Sequence, residues 1–125
     1  MIKHIVLLFT LLMIPVAASA QCKKQPGQNG NFSWTFLAAD ESKISGFRVY
    51  QSPIQSGPFN NLTASVASVT ARSLVAPITF STGAVKTFYV VRSYFTSGAG
   101  TVESGDSNSV ECDLAVPTPT GLQVN

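Results

Sequence analysis

Histidine and charged residues are scarce in this chain of 125 residues. Asp, Glu, Lys and Arg together make up 11% of it, and its single histidine is His4. Because His4 belongs to a predicted export signal, the exported chain lacks the side chain that titrates near neutral pH. That loss excludes Ser-His and Cys-His nucleophile pairs and His-based zinc sites, and the sequence contains no phosphate-binding glycine loop. We therefore expect a protein that is not an enzyme and that carries no cofactor.

The net charge is also small. The formal charge of the whole chain is +2, and removal of Lys3 with the export signal leaves +1. The longest basic run is the pair Lys23-Lys24, whereas a nucleic-acid-binding domain carries a basic patch or stripe. Nucleic acid is therefore not an expected partner.

Residues 1–20 are predicted to be a cleavable export signal. A positive start at Lys3 precedes an apolar run at 5–16, and Ala18-Ser19-Ala20 supplies the small residues that signal peptidase requires before a cut at Gln21. The apolar run is too short for a helix that crosses a bilayer core of about 30 Å. We expect a secreted or periplasmic protein with no membrane span after cleavage.

Two alternatives to simple cleavage stay open. The apolar run would act as a membrane anchor if it were retained. Cys22 would be lipidated if the signal were of the lipoprotein type, which we disfavour because Gln21 occupies a position that requires a small residue. Cys22 and Cys112 are the only cysteines, and an even number in an exported chain indicates a disulfide, although two unrelated thiols are the other interpretation.

The residues after the signal carry β-strand signals throughout. Runs of β-branched and aromatic residues alternate with clusters of Gly, Ser, Asn and Pro, and no stretch keeps a helical apolar period over three turns. Short strands at this even spacing predict an all-β sandwich or barrel. The predicted strands span 22–25, 31–37, 46–52, 62–70, 73–80, 87–95 and 108–114.

Alternation with a period of two assigns the faces of two of these strands. Phe47 and Val49 share one face of strand 46–52, and Tyr89, Val91 and Ser93 share one face of strand 87–95. The opposite face of each strand carries an arginine and is predicted to lie toward solvent. The residues on those predicted outer faces are Arg48, Tyr50, Phe88, Val90, Arg92 and Tyr94.

Four segments together resemble the fibronectin type III family. Phe32-Ser33-Trp34-Thr35 is similar to its second strand, and Ile44-Ser45-Gly46-Phe47-Arg48-Val49-Tyr50 to its third strand. Phe88-Tyr89-Val90-Val91-Arg92-Ser93 is similar to its sixth strand, and Glu103-Ser104 through Ser107-Asn108-Ser109-Val110 to the ending that leads into its last strand. The resemblance covers about residues 22–114 and implies an immunoglobulin-like antiparallel β-sandwich of about seven strands over 21–115. Short exported proteins with one such domain occur in bacteria and their phages, and the chain resembles that group.

Two features depart from the family pattern. Where the family usually has a tyrosine whose hydroxyl bonds back to the preceding turn, this chain has Thr87. The first strand is also very short, because only residues 22–25 precede a Pro-Gly turn. No role of the family tyrosine is carried over to Thr87.

The family fold implies which residues lie close together. Its first and last strands run toward the same pole, which would allow a bond between Cys22 and Cys112. Its third and sixth strands are neighbours, so that the six outer residues would form one candidate binding surface rich in Arg and aromatic rings. The other interpretation is that these rings form ordinary cross-strand pairs.

The family fold also implies a weak metal candidate. It places the loop after the second strand beside the loop before the last strand, which would bring together the carboxylates of Asp40, Glu41, Glu103 and Asp106. Four carboxylates at one pole would suit Ca²⁺. The alternative is that they are solvated loop acids, and the sequence lacks the regular spacing of dedicated calcium loops.

Residues 116–125 form a Pro-rich C-terminal tail. Its sequence resembles the first strand of a further fibronectin type III repeat, and it is either flexible or adds as a strand to a sheet edge. The leading functional hypothesis is a secreted, non-catalytic binding or adhesion module for a protein or carbohydrate at a cell or virion surface. The alternative is a structural or assembly subunit, of a virion or cell surface, that docks through the tail.

Overall fold

The computed structural model describes residues 22–125. The predicted export signal and its cleavage site lie outside the described residues. The described part contains eight strands and one short 3₁₀ helix, Ala38–Lys43. The strands are β1 Cys22–Lys24, β2 Asn29–Ser33, β3 Gly46–Ser52, β4 Asn61–Val66, β5 Ser73–Pro77, β6 Lys86–Ser97, β7 Gly100–Glu103 and β8 Val110–Leu114.

The strands form two sheets. The larger one has the order β1-β8-β6-β3-β4, with β7 also paired to β6, and the smaller one consists of β2 and β5. All pairs are antiparallel except β1–β8, which is parallel. The all-β prediction is therefore confirmed, but the prediction of purely antiparallel sheets is wrong at β1. The reason is that β1 joins the edge of the larger sheet beside β8, while β2 belongs to the smaller one.

The two sheets pack against each other across an apolar core. Val49, Ile78, Tyr89 and Cys112 are buried there, with Phe32 of β2 packed against them. The ring centroids of Phe32 and Tyr89 lie 4.8 Å apart across the interface. The inward faces that the period of two predicts for β3 and β6 are therefore confirmed at Val49 and Tyr89.

Trp34 continues the same interface beyond the end of β2. Its ring centroid lies 5.0 Å from that of Phe47, and Phe36 meets Phe47 edge-on at 5.2 Å. The second predicted strand, 31–37, is nevertheless too long and starts too late, because the ladder with β5 runs from Asn29 to Ser33.

One strand lies where the sequence predicts a turn. The residues 96–107 read as a loop because of Gly98, Gly100 and several serines, yet β7 pairs with β6 from Gly100 to Glu103. The hairpin is stabilised across the strands by a hydrogen bond between the hydroxyl groups of Thr96 and Thr101 at 2.9 Å.

The disulfide between Cys22 and Cys112 is confirmed. The two residues are direct partners in the parallel β1–β8 ladder, and their Cα atoms lie 4.6 Å apart. A bridge needs Cα atoms within about 4.4–6.8 Å, so the ladder register brings the cysteines together. The bond fastens the three-residue β1 to the edge of the larger sheet.

A polar network surrounds Thr87 at the start of β6. Thr87 is fully buried, and its hydroxyl accepts a hydrogen bond from Gln51 Nε2 at 2.7 Å. The Thr79 hydroxyl donates to Gln51 Oε1 at 3.0 Å, and the Thr79 backbone N–H donates to the Tyr89 hydroxyl at 3.4 Å. Tyr89, two residues after Thr87, is thus joined to the segment between β5 and β6.

Candidate binding surface

The predicted outer residues do share one face of β3 and β6, which we call the outer face. Its exposure was predicted wrongly for Tyr50, Phe88 and Val90, which are buried at 8%, 9% and 3% relative exposure. These three side chains form a second apolar cluster with Phe59. The loop at 53–60 lies over the outer face and brings Phe59 onto it, and a period of two within a strand gives no information about a covering loop.

The covering loop is fastened to the sheet by Arg92. Its Nη2 donates a hydrogen bond to the Phe59 carbonyl oxygen at 3.0 Å. The guanidinium carbon of Arg92 lies 4.3 Å from the ring centroid of Tyr50, a cation–π contact. Arg92 is therefore part of the seal over the apolar cluster.

Glu103 completes the outer face from β7. It lies opposite Tyr94 in the β6–β7 ladder and accepts hydrogen bonds from the Tyr50 hydroxyl and from Arg48 Nη1, the latter at 3.2 Å. Its other oxygen faces Arg92 Nη1 at 3.4 Å. One carboxylate thus joins three residues of the predicted surface to a strand that the sequence did not reveal.

The protonation of this cluster follows from its geometry. Partial burial of Glu103 opposes ionisation, but the Tyr50 hydroxyl and the guanidinium groups of Arg48 and Arg92 outweigh it and lower the pKa of the carboxyl. Burial and the hydrogen bond to Glu103 raise the pKa of the Tyr50 phenol. Tyr50 is therefore a neutral donor and Glu103 a carboxylate at neutral pH.

The outer face has few unpaired groups left for a ligand. The charged heads of Arg48 and Arg92 pair with Glu103, and Arg92 Nε also bonds to Asp106 at 2.6 Å. The Arg48 guanidinium lies over the Tyr94 ring at 4.4 Å. The arrangement therefore stabilises the sheet by pairing its own charges, and Tyr94 is its one half-exposed ring.

The four candidate carboxylates do not form a metal site. Asp40 pairs with Lys43 at 2.8 Å and Glu41 with Arg72 at 2.5 Å, while Glu103 and Asp106 bind the arginines of the outer face. Within residues 22–125, no group of three or more His, Cys, Asp or Glu side chains is placed to hold a metal ion. Each acid pairs with a cationic side chain, and the four acids lie on different elements, so these contacts do not support the weak Ca²⁺ candidate.

An exposed apolar pair was missed by the sequence analysis. Pairing of β3 with β6 stops at Gly46 opposite Tyr94, so the tip of the β6–β7 hairpin projects beyond β3. On this tip Phe95 and Val102 are cross-strand partners, 47% and 71% exposed. The available signal was the alternation of Phe95 and Val102 around two glycines, which is typical of a hairpin.

A second feature lies between the two sheets, at the open side of the sandwich. A groove of about 850 Å³ runs between β2 and the β1–β8 edge, and we call it the β2 groove. A smaller pocket of about 270 Å³ adjoins it and shares Phe32, Ser33 and Val110 as lining residues. Val110 is 48% exposed there, so part of the groove floor is uncovered apolar surface.

One wall of the β2 groove is a strand edge without a neighbour. The Trp34 N–H bonds to Arg72 O, and the Ile78 N–H bonds to Gln28 O, so the even-numbered residues of this ladder exchange hydrogen bonds with the β5 side. Alternation then turns the backbone N–H and C=O of Asn31 and Ser33 toward the groove. In the part of the chain that the structure describes, no strand pairs with this edge.

Comparison with known proteins gives no relative for the chain. No family model matches it, and no match was found among curated proteins or among solved structures. Over residues 22–125, the structure contains no helix of the length and hydropathy needed to cross a membrane. Its disulfide is the kind of bond that persists in oxidising compartments.

Proposed function

We propose that the chain is a secreted or periplasmic, non-catalytic binding or adhesion module of the fibronectin type III type. The strand order supports this reading, because β8, β6, β3 and β4 are neighbours in one sheet and β2 and β5 in the other. Separation of the third and sixth strands from the second and fifth is the arrangement that the immunoglobulin-like topology requires. Recognition in such a module is a property of exposed surface and not of a catalytic cleft.

The observation that carries the proposal is the projecting hairpin tip. Phe95 and Val102 expose an apolar cross-strand pair beyond the sheet, and the hairpin is held at its base by Glu103. Aromatic residues on a rigid element bury a large area with little loss of side-chain entropy and are enriched at interface hot spots. The partner that fits is a protein or carbohydrate at a cell or virion surface.

Substitution at the tip tests this function. The double variant Phe95→Ser/Val102→Ser should lose at least about tenfold in affinity, which is about 1.4 kcal/mol, in pull-down from surface extracts or on a glycan array. The matched control is Val75→Ser/Val85→Ser, which removes two valines that are 60% and 63% exposed elsewhere. The assignment would be refuted if the tip variant kept its binding and the control variant lost it. A folded wild-type chain that binds no partner at all would also refute it.

A second candidate function is that of a structural or assembly subunit that docks through its tail. The specific observation is that Val116, Leu122 and Val124 are 77%, 96% and 96% exposed. Three apolar side chains on one segment lower the solubility of a free tail and favour a docked one. Size-exclusion chromatography of the full chain against one that ends at Leu114 tests it, since equal monomeric behaviour of both would exclude docking.

A further inference from the structure

We propose that the β2 groove is an acceptor site for the tail, residues 116–125, of a second copy of this chain. The inference deepens the assembly function proposed above and rests on it. The tail would add to the free edge of β2 as an antiparallel strand. Copies joined in this way form a head-to-tail assembly, because donor and acceptor surfaces differ.

The groove offers the backbone groups that a strand needs. Asn31 and Ser33 each direct one N–H and one C=O toward it, and unpaired strand edges bind extended segments. The free edge of β5 is a poorer acceptor because Pro77 has no N–H on that strand. The adjoining apolar surface also lies at β2, where Phe32 and Val110 line the groove.

The tail has the alternation of a half-buried strand. Its even positions carry Val116, Leu122 and Val124, whereas its odd positions carry Pro117, Pro119, Gly121 and Gln123. Placing the even side chains toward the groove buries Leu122 and Val124 together, whereas Val116 precedes the two prolines and lies outside the paired segment. The tail has no charged side chain, so this burial leaves no ionised side chain without water.

One register pairs the backbone groups of the tail with those of β2. With Gln123 opposite Asn31 and Gly121 opposite Ser33, both pairs exchange two backbone hydrogen bonds. Pro119, which cannot donate, then falls opposite Thr35, beyond the end of β2. The prolines therefore lie outside the paired segment, and an extended stretch of about 16 Å matches the five residues of β2.

The same register explains two features of the groove. Leu122 comes to lie opposite Phe32 and covers the apolar floor. Val124 comes opposite Gly30, where the absence of a side chain leaves the space to Ile78, whose Cδ1 lies 2.7 Å from the position of a Cβ.

Chain direction assigns the donor to a second copy. The Ala115 N–H bonds to Lys24 O, so the tail leaves β8 at the end of β1 from which the turn 25–28 leads into β2. From that end it can follow β2 only in the parallel direction. The antiparallel register requires entry from the Ser33 end, which the tail of a neighbouring copy can reach.

Cysteine pairing between two variants of the full exported chain tests the proposal. An equimolar mixture of Asn31→Cys and Gln123→Cys should form a mixed disulfide dimer, because hydrogen-bonded partners have Cα atoms about 5.5 Å apart, as a bridge requires. The control mixture is Val75→Cys with Gln123→Cys, which places the thiol on β5 at the partner of Asn31. The adduct should form about tenfold faster in the first mixture, because docking raises the effective concentration of the thiols.

Four outcomes would overturn the docking site. If the mixed disulfide formed equally well in both mixtures, the tail would contact the chain without the proposed pairing to β2. A chain carrying both Asn31→Cys and Gln123→Cys that closes an internal bond as a monomer would assign the groove to its own tail. Self-association of the full chain by size exclusion without any mixed adduct would leave the assembly function standing and place the contact elsewhere, whereas a monomer at all concentrations would remove both.

Discussion

The outer face of β3 and β6 and the free edge of β2 differ in how completely their polar groups are paired. On the outer face, Glu103 accepts from Tyr50 and two arginines, and Phe59 covers the apolar rings. At the edge of β2, backbone groups of Asn31 and Ser33 face a groove with no neighbouring strand. The outer face, which is rich in arginine and aromatic residues, thus has more of its polar groups paired within the chain than the edge of β2 does.

The difference shows that composition and availability are separate properties of a surface. Arginine and tyrosine are enriched in interfaces, but the same side chains pair with each other when a carboxylate and a covering loop are within reach. An unpaired backbone edge binds whatever extended segment reaches it, and its side chains give little sign of this in the sequence. Recognition by this chain is therefore expected at the hairpin tip and at the β2 edge.

Loss of the disulfide should lower the stability of the chain most, because the bond fastens β1, which lines the β2 groove, to β8. Cys22→Ser/Cys112→Ser opens a loop of 90 residues, which should lower the free energy of unfolding by about 4.6 kcal/mol in the chain-entropy model. Urea unfolding followed by tryptophan fluorescence measures it. A loss below about 1 kcal/mol would mean that β1 holds its place without the bond.

Removal of the Phe59 ring, which covers the outer face, should cause the second largest loss of stability. Phe59→Ala deletes a ring that is 5% exposed and should cost about 3 kcal/mol, because it leaves a cavity over Tyr50 and Val90. Phe95→Ala is the matched control, since its ring is 47% exposed, and should change stability by less than about 1 kcal/mol. Equal losses for the two variants would contradict the sealed outer face.

Glu103→Gln should have a smaller effect of about 1 kcal/mol, because the ion pairs that it removes are partly solvated. Chemical denaturation at pH 7 measures it. Glu111→Gln is the control, since within residues 22–125 Glu111 pairs only with the exposed Lys86. This variant should lose less stability.

The pH dependence of stability also tests the contribution of Glu103. Because the folded pKa of Glu103 lies below its unfolded value of about 4.3, its contribution is present above the unfolded pKa and is lost as the pH falls through the folded one. Wild type should therefore lose stability more steeply than Glu103→Gln on acidification below about pH 4.3. Parallel profiles for the two proteins would show that Glu103 is unperturbed.

Much of the fold could be predicted from the sequence because its strands obey local rules. The period of two placed Phe47, Val49 and Tyr89 inside, and the even number of cysteines indicated the disulfide. Long-range events could not be read in this way. The placement of Phe59 over Tyr50 leaves no local pattern, and the hairpin pattern around Gly98 and Gly100 does not reveal that Glu103 meets Arg48. The candidate surface was misjudged for that reason.

Amide hydrogen exchange of the full chain, followed residue by residue at low and high protein concentration, tests the central contrast most directly. The Asn31 and Ser33 amides should exchange rapidly in dilute solution. They should become protected by at least about tenfold on concentration, as an intermolecular strand forms. The Tyr50 amide should stay protected at both concentrations. Fast exchange of Asn31 and Ser33 at every concentration, or slow exchange even when the chain is dilute, would contradict a free edge that a second copy fills.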